Sequence, residues 1–175
     1  MIIASLQALR RHGYSSRYAE IVHPAARDEL LGLASPAWVP FALAEAHYAA
    51  CDALGIPLDE MLAIGNEVSR VDAAGAHVLL GLARAGGITV WSLLERLPTN
   101  WNRMYRGGAF DVAKVGPKEA RVVVSGNALA RYEYWRVGLR GVGEGLLRHF
   151  CNLVFIKELP NRRRLDSASF VIAWA

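Results

Sequence analysis

Cysteine is scarce in this chain, and long apolar runs are missing. The 175 residues include two cysteines, Cys51 and Cys151, and neither has a second cysteine close by. This spacing argues against a disulfide framework or a CxxC motif and predicts free thiols in a reducing compartment. No stretch approaches the ~18 consecutive apolar residues of a membrane helix, and the opening residues lack the order of a signal peptide. We therefore expect a cytoplasmic protein without membrane insertion.

Charged residues are also few. They make up 21% of the chain against 53% hydrophobic residues, and the net charge is +4. The apolar share predicts a folded globular protein and not a disordered one. The densest basic run, Arg162-Arg163-Arg164, has no recognition-helix motif or stacking aromatic pattern beside it. We therefore expect no nucleic-acid partner.

Patterns for catalysis and cofactor binding are weak. None of the five histidines has a second histidine four residues away, the spacing of a helical metal site. The glycines of segment 141–145 lie inside a helical run and not after a strand, so they do not match a dinucleotide fingerprint. His47 and Cys51 are four residues apart and leave open an imidazole-activated thiol, with Glu45 as a nearby carboxylate. We expect no metal and no cofactor.

The first 106 residues follow a helical period. Glycine and proline mark the ends of successive helices, and Pro98 is expected to bend or split the last of them. The predicted helices cover 2–12, Pro24 to Leu33, Phe41 to Leu54, Leu58 to about Ala85 with a break near 72–75, and a final stretch from Thr89 to Trp101.

At Gly107 the period changes from 3.6 to 2. Phe110 alternates with Asp111 in the first strand, and a turn at Gly116-Pro117 leads to a second strand that pairs with it. A helix over 131–150 follows, and then come the strand runs NLVFIKEL and SFVIAWA. Helices and strands in separate blocks predict an α+β fold in which helices cover one sheet.

Two details of this second part carry finer expectations. The apolar run Leu153 to Ile156 suggests a strand that is covered on both faces. Arg136, Arg140 and Glu144 lie at successive i, i+4 positions and are typical of a solvated helix face.

Glycines and tryptophans supply the candidate ligand contacts. Gly138, Gly141, Gly143 and Gly145 are dense for a helix interior, where each costs up to about 1 kcal/mol relative to alanine. They indicate either close packing on the sheet or a twin helix, or a pocket wall that a ligand approaches. The tryptophans are equally compatible with a core and with a pocket lining.

The order of motifs resembles a known group of proteins. Residues Trp101 to Gly108, the following VGPKEARVVVSG, the helix YEYWRVGLRGVGEGLL and the strand ASFVIAWA resemble an uncharacterised family abundant in myxobacteria. That family is related to the 4-vinyl-reductase-like ligand-binding domains and, more remotely, to haem-NO-binding domains and vesicle-tethering transport-particle subunits. The resemblance spans roughly residues 36 to 175. It implies a helical part on a four-stranded antiparallel sheet, dimerisation and small-molecule sensing.

The chain departs from these relatives at two places. Several 4-vinyl-reductase-like sensors carry a zinc-binding cysteine cluster before the last strand, whereas Glu158 to Ser169 here contains no cysteine or histidine. Haem-NO-binding domains use a proximal histidine and a Tyr-x-Ser-x-Arg motif. The nearest match here, Tyr14-Ser15-Ser16-Arg17, has a different spacing and lies near the N-terminus. We therefore expect neither zinc nor haem.

We predict one α+β domain over 1–175, with a helical part (1–106) packed on a four-stranded antiparallel sheet of ββαββ order (107–175). The predicted function is non-enzymatic, sensor-like binding of a small apolar or amphipathic molecule between helices and sheet, in a homodimer. A scaffolding module without ligand and, after it, an enzyme using His47 and Cys51 are the alternatives. The predicted ligand contacts are Trp38, His47, Cys51, Trp101, Trp135, Gly138, Gly141 and Gly145.

Overall fold

The computed structural model describes residues 1–33, 38–71, 86–159 and 164–175. Its N-terminal part is helical, as predicted, and the two helices after residue 86 are separated before Pro98, which lies in the first turn of the second. The predicted helix beyond Val71 and most of the arginine run fall outside the described residues. The helices are α1 (Ile2–Arg11), α2 (Ser15–Ile21), α3 (Pro24–Leu31), α4 (Phe41–Ala53), α5 (Leu58–Val71), α6 (Val90–Leu94) and α7 (Leu97–Met104).

The C-terminal part is a four-stranded antiparallel sheet with one long helix inserted in its sequence. The elements are β1 (Ala109–Gly116), β2 (Glu119–Ser125), α8 (Glu133–Leu147), β3 (Val154–Glu158) and β4 (Ala168–Trp174). The strand order is β1-β2-β4-β3, so β3 and β4 pair with each other and β4 also pairs with β2 of the β1–β2 hairpin. This confirms the α+β fold and the ββαββ order.

One face of the sheet belongs to the core. Val122 pairs with Phe170 and Ala120 pairs with Ile172, and all four side chains are buried. The outer face is different: Phe155 on β3 is 63% exposed. The expectation that β3 is covered on both faces is therefore wrong. The side chains of β3 alternate between a buried and an exposed face, because β3 is an edge strand and α8 covers only its inner side.

The helices α5 and α8 pack with their backbones in direct contact. A Cβ atom added to Gly141 would overlap the carbonyl oxygen of Leu62 and lie 2.9 Å from the amide nitrogen of Asn66. From the other side, a Cβ atom on Gly65 would lie 3.0 Å from the Cα of Gly141. Real Cβ atoms do not come this close to backbone. The glycines of α8 were expected to mark either close packing or the wall of a ligand pocket. The contacts of α8 with α5 are close packing, and the packing partner is a helix of the same chain.

Polar contacts from other elements hold α8 in place. The carboxylate of Asp52, at the end of α4, accepts hydrogen bonds from the backbone amides of Glu133 (3.0 Å) and Tyr134 (2.7 Å). It therefore acts as an N-cap supplied from another helix, where the helix dipole also favours a negative charge. The tie comes from residues more than 80 positions apart in sequence.

The prediction that Arg136, Arg140 and Glu144 form a solvated face of α8 is wrong. Arg136 is 2% exposed, its Nε lies 2.9 Å from a carboxylate oxygen of Glu158, and its Nη1 donates to the carbonyl oxygens of Ala130 and Arg131. Arg140 donates to the carbonyl of Ile156 at 3.2 Å. This face lies against β3 and the turn before α8, so its charges serve as ties within the fold.

The glycine contacts give a matched pair of substitutions. Gly141→Ala should destabilise the protein by about 2 kcal/mol or more, because the new methyl group meets backbone that cannot yield without moving α5. Gly138→Ala, one turn earlier, places its Cβ where no atom lies within 4 Å and should stabilise the helix by up to about 1 kcal/mol. Urea unfolding of both variants measures the difference. Equal midpoints would contradict the packing described here.

Candidate functional site

A cavity of about 160 Å³ lies between the helices and the inner face of the sheet. It is here called the apolar cavity. Its walls come from α6 and α7 on one side, from α8 on another and from β2, β3 and β4 below. Arg140 is the charged member of a lining that is otherwise apolar and includes Leu94, Leu97, Trp101, Phe110, Val122, Leu139, Val142, Leu146, Ile156, Phe170 and Ile172.

A second, more open space of about 480 Å³ has a different character. This polar groove is lined by aromatic residues such as Trp38 and Tyr105, and by Arg106, whose guanidinium carbon lies 4.6 Å above the centre of the Trp38 ring. Met1 and Met104 line both the polar groove and the apolar cavity. The two spaces are therefore separated in part by methionine side chains.

Aromatic rings form the wall where the two spaces meet. The rings of Trp101 and Tyr105 stack at 4.2 Å, and Trp135 meets both edge-on at 6.2 Å. The indole of Trp135 donates to the Tyr105 hydroxyl at 3.2 Å, and that hydroxyl donates to the Met1 sulfur at 3.0 Å. Burial raises the pKa of Tyr105 to about 12, so its hydroxyl is a neutral donor near pH 7.

His47 belongs to a buried polar network and is fully enclosed. One ring nitrogen lies 2.8 Å from the hydroxyl of Tyr18 and the other lies 3.1 Å from that of Ser5, which in turn lies 2.9 Å from the hydroxyl of Tyr134. These four side chains join α1, α2, α4 and α8. Burial lowers the pKa of His47 to about 3, so the imidazole is neutral and both of its nitrogens are occupied.

The possible His47–Cys51 nucleophile does not fit this geometry. The Cys51 sulfur lies 3.7 Å from the nearer ring nitrogen, but the thiol is fully buried and burial raises its pKa well above the ordinary value. A neutral imidazole and a protonated thiol without access to water do not make a nucleophile. Glu45, the carboxylate considered with them, forms an ion pair with Arg131 instead.

The predicted tryptophans fall into three places. Trp101 is 1% exposed and lines the apolar cavity, whereas Trp38 is 50% exposed and lines the polar groove. Trp135 is buried and borders a void of about 20 Å³ between α5 and α8. Trp101 and Trp135 are therefore in contact with each other, whereas Trp38 lies in the polar groove, on the other side of Met1 and Met104.

The other predicted contacts lie away from the apolar cavity. His47 and Cys51 belong to the buried polar network, and Gly138 borders the small void beside α5. The Cβ positions of Gly141 and Gly145 point at α5. Sequence reasoning missed the residues that form most of the cavity wall, including Leu139, Val122 and Phe170.

Searches for relatives give the same fold and no close homologue. No family model matches the chain, and no curated protein matches it. Solved structures do match, and several are H-NOX proteins. The Fe(II) unliganded H-NOX protein from K. algicida is 12% identical, with a TM-score of 0.67 over 99% of this chain and 94% of that one.

Two other matches agree. A mutant of T. Tengcongensis H-NOX is 11% identical with a TM-score of 0.64, covering 99% of this chain and 94% of its own. An oxygen-binding H-NOX domain related to soluble guanylate cyclases, in its oxygen complex, is 10% identical with a TM-score of 0.62, covering 98% of this chain and 91% of its own. Identities this low establish the fold alone. The relation to haem-NO-binding domains expected from the sequence is confirmed at that level.

The described residues contain neither a group of metal ligands nor a membrane-spanning helix. In the ranges given above, no three histidine, cysteine, aspartate or glutamate side chains are grouped so that they could hold a metal ion. No helix of the described part is both long and apolar enough to cross a membrane.

The buried imidazole predicts a specific loss of stability in mild acid. Above pH 6.5 the folded and unfolded states both hold a neutral His47, and its contribution is complete. Below pH 6.5 His47 binds a proton in the unfolded state but stays neutral in the folded state, where its pKa is about 3. The free energy of unfolding should then fall by up to about 1.4 kcal/mol per pH unit on this account.

Urea unfolding between pH 7.5 and 4.5 measures this slope. His47→Gln should be less stable at pH 7.5 and should show a shallower pH dependence. His23→Gln, which changes an exposed imidazole, should leave the wild-type slope unchanged. Parallel curves for the wild type and His47→Gln would contradict a neutral buried imidazole.

Proposed function

We propose that this chain is a non-enzymatic, sensor-like domain that binds a small apolar molecule between its helices and its sheet. The apolar cavity carries this proposal, because it offers about 160 Å³ of space between the helices and the inner face of the sheet, with walls that are apolar except for Arg140. An engineered apolar cavity of about 150 Å³ stays dry and binds benzene. A space of this kind therefore suits an apolar group of about the size of one six-membered ring.

The described residues around this site do not fit a haem group, whose distortion is the subject of two matching structures. Haem iron takes an axial histidine, cysteine thiolate, tyrosine or a methionine paired with histidine. Among the described residues that line the apolar cavity, the sulfur atoms of Met1 and Met104 are the available ligands. His47 uses both ring nitrogens in hydrogen bonds.

The described groups near the polar groove do not supply an axial ligand for haem iron either. Burial raises the pKa of Tyr48 and Tyr105, which disfavours the phenolate that iron would require. The Tyr14–Arg17 segment is not an anion cradle, because Tyr14 donates to Glu60 and Arg17 donates to the carbonyl of Leu54. We therefore propose that the chain uses the H-NOX fold for a ligand other than haem.

The remaining parts of the proposal concern context. We infer one domain over 1–175, a cytoplasmic location and a homodimer, together with the kinship to 4-vinyl-reductase-like domains. A protein–protein interaction module is the second candidate. Leu153 and Phe155, which are 70% and 63% exposed at the edge strand β3, favour it.

Binding of fluorobenzene, followed by ¹⁹F NMR line broadening, tests the proposal. The wild type should bind it with a millimolar or lower dissociation constant. Val122→Phe, which fills the cavity from the centre of β2, should abolish binding. Val123→Phe changes the neighbouring residue, which alternates to the outer face of the same strand, and should bind as the wild type does.

Two results would refute the proposed function. One is no fluorobenzene binding by a folded wild-type protein, which would leave the interaction module as the better candidate. The other is a Soret band from stoichiometric haem in the purified protein, since the described side chains around the cavity offer no histidine, cysteine thiolate or tyrosinate as an axial ligand.

A further inference from the structure

The apolar cavity and the polar groove are neighbouring spaces that share part of their walls. Both are bordered by Met1 and Met104. Methionine is unbranched and flexible, and it yields to a ligand more easily than a branched or aromatic side chain. A ligand that displaces these thioethers could extend from the apolar cavity into the groove.

Charge in the polar groove has one sign. Its described lining contains no aspartate or glutamate, and Arg106 supplies its charged side chain. Arg106 is exposed, lies against the Trp38 ring and forms no ion pair with any described residue. Stacking on an aromatic face leaves the edge of a guanidinium, with its N–H donors, free to meet an anion.

A second donor lies in the same groove. Asn127 lines it and is 5% exposed. Its amide oxygen accepts the backbone N–H of Leu129 at 3.0 Å, whereas its amide nitrogen has no hydrogen-bond partner among the described residues. A carboxylate oxygen of a ligand in the groove can accept a hydrogen bond from this nitrogen.

We propose that the ligand is an amphipathic carboxylate. Its carboxylate pairs with Arg106 and accepts from the amide of Asn127, and its apolar body occupies the apolar cavity behind Met1 and Met104. Arg106, the cationic side chain of the groove lining, matches the single negative charge of a carboxylate, and guanidinium–carboxylate pairs are strong and frequently bidentate. This inference rests on the proposed function and specifies the class of ligand for the same site.

Matched acids and alcohols test this proposal on the full chain. The probes are phenylacetate, 3-phenylpropanoate, 4-phenylbutanoate and 5-phenylpentanoate, each compared by titration calorimetry with the alcohol of the same carbon chain. At least one acid should bind at least tenfold more tightly than its alcohol. Arg106→Gln should remove that difference by weakening the acid alone, and Arg106→Lys should retain part of it.

Two controls keep the test specific. Arg103→Gln changes another exposed arginine, on α7 and outside the groove lining, and should leave the preference intact. Val122→Phe should weaken acids and alcohols alike. If fluorobenzene binds but no acid exceeds its alcohol, or if Arg106→Gln weakens both equally, the carboxylate proposal is wrong while the proposed function stands. If neither fluorobenzene nor any probe binds, both are wrong.

Discussion

The direct backbone contact between α5 and α8 is the constraint on which the rest of this structure depends. Gly65 and Gly141 bring the two helices together so closely that neither position has room for a methyl group. On the opposite side of α8, a Cβ on Gly143 would lie 2.8 Å from the Cδ1 of Ile156 on β3. The helix is therefore fitted between α5 and the sheet, and its glycines face both neighbours. The helix-propensity cost of Gly141, Gly143 and Gly145 is offset by packing that larger side chains would prevent, whereas Gly138 has open space around its Cβ position.

The position of α8 in turn shapes the interior. Its N-terminus is capped by Asp52 from α4, and Arg136 ties its first half to Glu158 at the end of β3. The buried hydrogen bonds of His47 join the N-terminal helices to Tyr134 on the same helix. The cap from Asp52 and the hydrogen bonds of His47 make the relative positions of the helices specific where apolar contacts alone would allow sliding. With α8 held in this way, the space between α6, α7 and the sheet is not filled.

The sequence predicted the elements of this fold well because each has a local signature. The change of period at Gly107, the turn at Gly116-Pro117 and the alternation through β2 depend on neighbouring residues only, and all three were found. Arg136 was misjudged for the opposite reason. Spacing places it on a helix face, but whether that face meets water depends on β3, which follows later in the chain.

The candidate site was less predictable, and the reason is physical. A cavity is the volume left over after many side chains have packed, so no single residue announces it. The density of glycines in α8 correctly indicated a close approach, but it could not tell a neighbouring helix from a ligand. Large aromatic side chains suit a core as well as a pocket, and of the predicted contacts Trp38, Trp101 and Trp135, only Trp101 borders the apolar cavity. The role proposed for Arg106 has no signal in the sequence, since it rests on the Trp38 ring beside it and on the absence of acidic residues from the described lining of the groove.

The similarity to H-NOX structures separates the scaffold from its chemistry. A shared fold places helices and a sheet around an internal site, whereas the side chains that line the site decide what it binds. Here the wall positions hold aliphatic and aromatic groups, and the imidazole nearest the core is neutral and fully hydrogen-bonded. A metal cofactor needs electron-pair donors that are free to bind it, and His47, buried among the described helices, uses both ring nitrogens in hydrogen bonds that hold those helices together. In the proposed function, recognition therefore rests on the apolar lining of the cavity and on Arg106 in the groove, which together suit a molecule with an apolar body and a charged end.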